Sequence, residues 1–244
     1  MAAEHTVKAF EQELRRLTNR ISQMGGYAEA QIADAVQALV RRDTALAERI
    51  VQADARLDGY EREVEHDAVR VLALRQPMGS DLREVLAALK ISADLERSGD
   101  YAANIAKRSV ALAKLPAVAP AAAIPRMGSL VRDMLRDVLD AYVDRDVEKA
   151  VTAWRRDAEL DGLYTDLFRE ALAHMAADTD SIAACTHLLF IAKNLERVGD
   201  HATNIAETIH FLVRGQPISG TRPKDDRTCF ETMPHAASGR AATP

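Results

Sequence analysis

Apolar residues recur at spacings of three and four along almost the whole chain, the pattern of helices that bury one face. Between Thr6 and Arg41 the apolar positions are Phe10, Leu14, Leu17, Ile21, Met24, Ala28, Ile32, Ala35 and Leu39, with Gly25-Gly26 as a weak point where this helix can bend. A second helix over 44–74 sets Leu46, Ile50, Leu57, Val64, Ala68 and Val71 on one side, and Pro77 and Gly79 then break the chain. A third begins near Asp81 and ends before Pro116. From Leu115 to Pro125 three prolines deny the backbone its helical hydrogen bonds and predict a semi-stiff connector. The helical period then resumes over 126–144, 146–177 and 180–213, and no stretch alternates with a period of two. The pattern predicts an all-α protein.

The second set of helices repeats the first. Residues 91–107, Ile-Ser-Ala-Asp-Leu-Glu-Arg-Ser-Gly-Asp-Tyr-Ala-Ala-Asn-Ile-Ala-Lys, align with 191–207, Ile-Ala-Lys-Asn-Leu-Glu-Arg-Val-Gly-Asp-His-Ala-Thr-Asn-Ile-Ala-Glu, and ten of seventeen positions are identical. Upstream, Asp54-Ala-Arg-Leu-Asp58-Gly59 matches Asp157-Ala-Glu-Leu-Asp161-Gly162, the small difference in offset being absorbed by a longer turn around Pro77. The chain therefore divides into a three-helix unit over 1–115, a Pro/Ala-rich linker over 116–125, a second three-helix unit over 126–215 and a tail over 216–244. The tail has few large apolar residues apart from Phe230 and is expected to be disordered.

Composition narrows the classes of function. The 244 residues are 48% hydrophobic, 28% charged and only 5% aromatic, as suits helices. A net charge of -5 lacks the basic excess that phosphate contacts require, which argues against nucleic acid as a ligand. The two cysteines, Cys185 and Cys229, lie in unlike settings and imply no disulfide framework. No apolar signal segment opens the chain and no run of 18 apolar residues occurs in it, so the reading is a cytoplasmic protein with no direct membrane insertion.

The candidate chemistry is acidic. Glu96 and Asp100 are four apart, with Asn104 one turn further on, so they form a stripe of oxygen ligands along one helix face, and Glu196, Asp200 and Asn204 repeat it. The apolar side set by Ile91, Leu95, Ala102 and Ile105 puts this stripe opposite the core and predicts that it is exposed. Asp54 and Asp58, and again Asp157 and Asp161, fall at the edge of their helix's apolar stripe, where they can meet a neighbouring helix. Like charges at this spacing cost about 0.2–0.5 kcal/mol per pair, so their repetition calls for solvent or a cation. A lone pair of this kind is most often a solvated face; the doubled set points to a metal. Carboxylate and amide oxygens without nearby Cys or His favour Mg²⁺, Mn²⁺, Ca²⁺ or iron over zinc.

Other residues read as structural. Gly99 and Gly199 inside their helices cost about 1 kcal/mol each relative to Ala, which close helix approach would offset. Arg97 and Arg197 point outward, and Trp154, Tyr164 and Phe168 fall at core spacing. Glu63-Val-Glu-His66 has the spacing of a di-iron bundle motif, but Asp166 and Arg169 replace it in the second copy, which disfavours a ferritin-like oxidase. No Gly-rich phosphate loop and no nucleophile with a readable base partner occur, so no catalytic residue is assigned.

Leu95-Glu-Arg-Ser-Gly-Asp100 and Leu195-Glu-Arg-Val-Gly-Asp200, each followed by Ala-x-Asn-Ile-Ala, resemble the PhoU family of phosphate-signalling proteins, as does Arg75-Gln-Pro77 followed by Asp81-Leu-Arg83. The likeness covers about residues 7–215. It implies two tandem, pseudo-symmetric antiparallel three-helix bundles with multinuclear iron, or manganese and magnesium, on their surfaces. The implied ligands are Asp54, Asp58, Glu96 and Asp100 in the first half and Asp157, Asp161, Glu196 and Asp200 in the second, with Asn104 and Asn204 as additional candidates. It further implies a homodimeric negative regulator of phosphate uptake that links a phosphate ABC transporter to a membrane sensor histidine kinase. Asp94 against Asn194 and Tyr101 against His201 predict that the two clusters differ. Two readings stay open beside this one: a bundle enzyme using a carboxylate metal site, and a purely structural dimerisation module.

Overall fold

A computed structural model describes residues 2–231, with side chains from Ala9 onward. Eight α-helices follow in order: α1 (Ala2–Arg41), α2 (Thr44–Ala53), α3 (Ala55–Arg75), α4 (Ser80–Leu112), α5 (Ile124–Asp144), α6 (Val147–Arg155), α7 (Asp157–Ala177) and α8 (Ile182–Arg214). Short 3₁₀ turns stand at Ala119–Ala123, Thr179–Ser181 and Thr228–Phe230, and the described residues contain no strand. Helices α1–α4 form the first unit and α5–α8 the second.

Each unit is an antiparallel three-helix bundle in which the middle helix is split in two. Sequence periodicity predicts unbroken helices over 44–74 and 146–177; instead the chain kinks at Asp54 and at Arg156. Both residues keep right-handed helical angles, and the amides of Leu57 and Glu159 close tighter 3₁₀-type bonds onto the carbonyls of Asp54 and Arg156, at 3.0 and 3.1 Å. A kink of this kind needs neither Gly nor Pro, so it leaves the apolar period intact. Helix α1 runs through Gly25 and Gly26 without a break.

The repeat extends to the turns. Arg42 and Arg145 both take left-handed angles, φ 54° and 57°, and Asp43 and Asp146 then cap α2 and α6 by accepting from the amides of Leu46 and Lys149 at 2.9 and 3.0 Å. The core is the merged apolar faces of both units. Leu17, Ile21, Met24, Ala28 and Ile32 of α1 are fully buried, as are Met127, Val131, Met134, Leu135 and Val138 of α5. Each such aliphatic side chain contributes about 1.5–3 kcal/mol on burial. Helices α4 and α8 pack against each other along the pseudo-symmetry axis, and α1 also meets α5, so the two units share one continuous core.

The segment between the units is more ordered than a connector: Val118 and Pro120 are buried and the 3₁₀ turn at Ala119–Ala123 packs on α7. The tail shows the larger departure. Gly215 ends α8 in the left-handed region, φ 70°, and the chain then folds back across α8 and α7 instead of leaving the surface. Residues 232–244, the rest of the segment expected to be disordered, lie outside the described residues. Among the described residues, no helix is long and apolar enough to cross a membrane.

Candidate metal centre

The two acidic sets occupy equivalent places, where the kinked middle helix of each unit meets its last helix. Close approach there depends on the internal glycines. A Cβ on Gly99 would overlap the Leu57 side chain, and one on Gly199 would overlap Leu160, the same leucine of the repeat. Absence of a side chain thus lets α3 lie against α4, and α7 against α8, beside the acids. The kink also puts Asp54 at the N-terminal boundary of α3 and Asp157 in the first turn of α7, where the helix dipole favours negative charge.

In the first unit, Asp54, Asp58, Glu96 and Asp100 form one patch, joined by Glu61, which the repeat alignment did not single out. The stripe expected to be exposed is half-buried: the Glu96 side chain is only 19% accessible. Burial, then Asp100 and Glu61, push the Glu96 carboxyl up to about 7, while Arg97 opposes them. Burial and the neighbouring Asp100 likewise raise Asp54, and burial, Glu65 and Asp58 raise Glu61. Arg97 lies 3.7 Å from Glu96 and 4.0 Å from Asp100 and is largely exposed, a loose partner for so much charge. Asn104 is half-buried one turn beyond Asp100. Glu61 was legible in principle: it stands three residues after Asp58 and seven after Asp54, on the same face. The second unit has Tyr164 at that position, so a search for repeated acids passes over it.

In the second unit the acids are deeper and already paired. Asp157 and Asp161 are fully buried and Glu196 is buried, contrary to the exposed face expected for Glu196, because Tyr164 and the tail cover them. Arg222 bridges Asp157 and Asp200 at 2.9 and 2.6 Å. Lys224 Nζ lies 2.5 Å from Asp200, 3.3 Å from Asp157 and 3.9 Å from Asp161. The Asp225 amide donates to Asp161 at 2.9 Å, and Lys193 pairs with Glu196 at 3.0 Å and with Asp226 at 3.3 Å. Burial works against the Lys224 ammonium, but Asp200 and Asp157 outweigh it and raise its pKa. Burial raises Asp161 and Glu196 as well, against the opposing cations.

Asn204 does not join this cluster. Its amide donates to Asp94 at 3.3 Å, and His201 meets the same oxygen at 2.7 Å. Tyr101 stacks beside His201, with ring centroids 5.7 Å apart. Asp94, Tyr101 and His201 therefore lie in the seam between α4 and α8. Trp154 is buried as expected of a packing residue, and its indole N–H donates to Glu207 at 2.9 Å.

Chemically, the first patch is a field of hard oxygen donors whose nearby cations are exposed: Arg62 stands 3.6 Å from Asp58, Arg97 flanks Glu96 and Asp100, and Lys107 opposes Asp54. Its oxygen donors are of the kind a divalent cation takes. Among the described residues, no three acidic, histidine or cysteine side chains stand in chelating geometry. The second set keeps four of these five carboxylates, with Tyr164 in place of Glu61, and the chain's own cations lie between them.

Fold and site together define a duplicated three-helix-bundle protein with one acidic patch per repeat and no spanning helix among the described residues. The chain belongs to the PhoU family: the family model described as PhoU domain matches residues 21–109 and again 124–209. It is 53% identical over 224 residues to the phosphate-specific transport system accessory protein PhoU homolog of Caulobacter vibrioides, covering 91% of this chain and 97% of that one. The corresponding protein of Rhizobium meliloti is 49% identical over 236 residues, with 93% and 97% covered. Among solved structures, PhoU from Pseudomonas aeruginosa superposes with a TM-score of 0.82 at 35% identity, over 85% of this chain and all of that one. The phosphate transport system regulatory protein PhoU from Streptococcus pneumoniae gives 0.81 at 31% identity, over 86% and 99%.

Proposed function

We propose that this chain is a metal-binding regulator of phosphate uptake and of the phosphate-starvation response, acting as an adaptor between a phosphate ABC transporter and a sensor histidine kinase. Membership of a family whose members are named as accessory and regulatory proteins of phosphate transport supports the regulatory part. The metal part rests on one observation: five carboxylates of the first unit share a half-buried patch in which burial, then Asp100 and Glu61, push the Glu96 carboxyl up to about 7. A polyvalent cation would turn that repulsion into coordination, lock α3 onto α4, and fix the outer face of the bundle for a partner. Asp54, Asp58, Glu61, Glu96 and Asp100 would hold it.

The test is a pair of measurements on Glu96→Gln/Asp100→Asn beside the parent chain. Elemental analysis after loading with manganese or iron should show metal in the parent and its loss from a variant that stays helical. A phosphate-starvation reporter should stay repressed in high phosphate with the parent chain and be released with the variant. A variant that loses no metal, or one that loses metal yet represses fully, contradicts the proposal.

A further inference from the structure

The duplicated acidic sites have been met in two different ways, and the difference lies in cations of the chain itself. Aligned position by position, the second unit replaces Glu61 by Tyr164 and Ala93 by Lys193, removing one carboxylate and adding an ammonium beside Glu196. The tail brings the rest. The Arg222 guanidinium spans Asp157 and Asp200 with two of its nitrogens, a fork suited to bridging carboxylates. Lys224 Nζ sits within 3.9 Å of three carboxylates, the place a bound cation would take.

Backbone contacts hold these two side chains in position. The Asp225 amide donates to Asp161, the Arg227 amide donates to the Thr165 hydroxyl at 3.2 Å, and Asp226 accepts from both the amide and the hydroxyl of Thr228 at 2.9 and 2.7 Å. Arg169 closes the far end on Glu231 at 2.7 Å. The cluster still has capacity for a cation: Asp157 Oδ1 and Asp161 Oδ1, both on fully buried residues, have no hydrogen-bond partner. These are side chains arranged for positive charge, and an ammonium satisfies them incompletely.

We propose that Gly220–Glu231 is an intramolecular cationic strap that serves as counter-ion to the second acidic cluster and keeps metal out of it, so that metal enters only when the strap is displaced. The exclusion of metal rests on the metal-binding reading of the family's acidic motifs given above, whereas the strap's docking does not. The strap makes the two repeats unequal: the first is open to metal from solvent, and the second is closed by a segment that can be exchanged for it.

The experiment compares the full chain with Arg222→Gln/Lys224→Gln and with the milder Lys224→Gln, each checked for helicity. Hydrogen exchange of the metal-free full chain should show protected amides at Asp225, Arg227 and Thr228, and protection should fall at least tenfold in the double variant. Equilibrium dialysis against Mn²⁺ with elemental analysis should then find at least one more bound ion per chain in the double variant, and an intermediate gain or tighter uptake in Lys224→Gln. Equal manganese content in all three chains overturns the proposal. If that equal content is zero, the metal-binding reading falls with it; if it is above zero, that reading stands and only the strap's role as a metal barrier is lost. Unprotected strap amides in the full chain overturn the docking itself.

Discussion

At the scale of single residues, Glu96 carries the largest consequence. Burial, then Asp100 and Glu61, push its folded carboxyl up to about 7 from the ordinary value of 4.5. Between these two values the folded chain holds a proton that the unfolded chain has released, so folding becomes less favourable as pH rises through that window. Urea titrations of the metal-free chain should give a lower midpoint at pH 8 than at pH 5, and Glu96→Gln should flatten the difference. An unchanged slope in that variant assigns the pH dependence elsewhere. Gly99 and Gly199 test the packing that brings the acids together. Alanine gains about 1 kcal/mol of helix propensity at an exposed site, but here its Cβ meets Leu57 or Leu160. Gly99→Ala and Gly199→Ala should each destabilise the fold by about 1–3 kcal/mol in urea unfolding, the range for overpacking. A gain in stability would mean that the helices separate freely.

At the scale of elements, the repeated left-handed Arg and capping Asp show that the two units share turns as well as helices. Asp43→Ala and Asp146→Ala should each cost about 1 kcal/mol, measured by thermal or urea unfolding, because each removes an acceptor from the open amides of a short helix. Equal losses at both positions would follow from the equivalence of the turns. Helix number, order and the buried faces were readable from the apolar period, since a residue such as Leu17 or Ile191 must face the core wherever its helix goes. The kinks at Asp54 and Arg156 were not, because the backbone stays right-handed and no Gly or Pro marks them. They matter to the site, since they set Asp54 and Asp157 at helix starts.

At the scale of the whole molecule, the repeat made the eight acids of the two patches visible and concealed what distinguishes the patches. A residue present in one copy only, such as Glu61 or Lys193, carries no signal in a comparison that looks for identities. Asn104 and Asn204 matched in sequence, yet Asn204 serves the seam with Asp94 because α4 and α8 cross there. The docking of residues 220–231 was not readable for a related reason. The segment's low apolar content argues against a packed core, but Arg222 and Lys224 dock by charge on acids that lie more than twenty residues earlier in the chain, and no local pattern reports such pairing. The molecule that results has one continuous core and two acidic clusters, one flanked by exposed cations and one paired with cations of its own tail. The most direct test is the metal content of Glu96→Gln/Asp100→Asn beside that of Glu196→Gln/Asp200→Asn, both confirmed helical and loaded with the same metal. The account predicts that the first variant loses the bound metal and the second keeps it. Loss of metal from the second variant alone would place the cation under the strap and contradict the account.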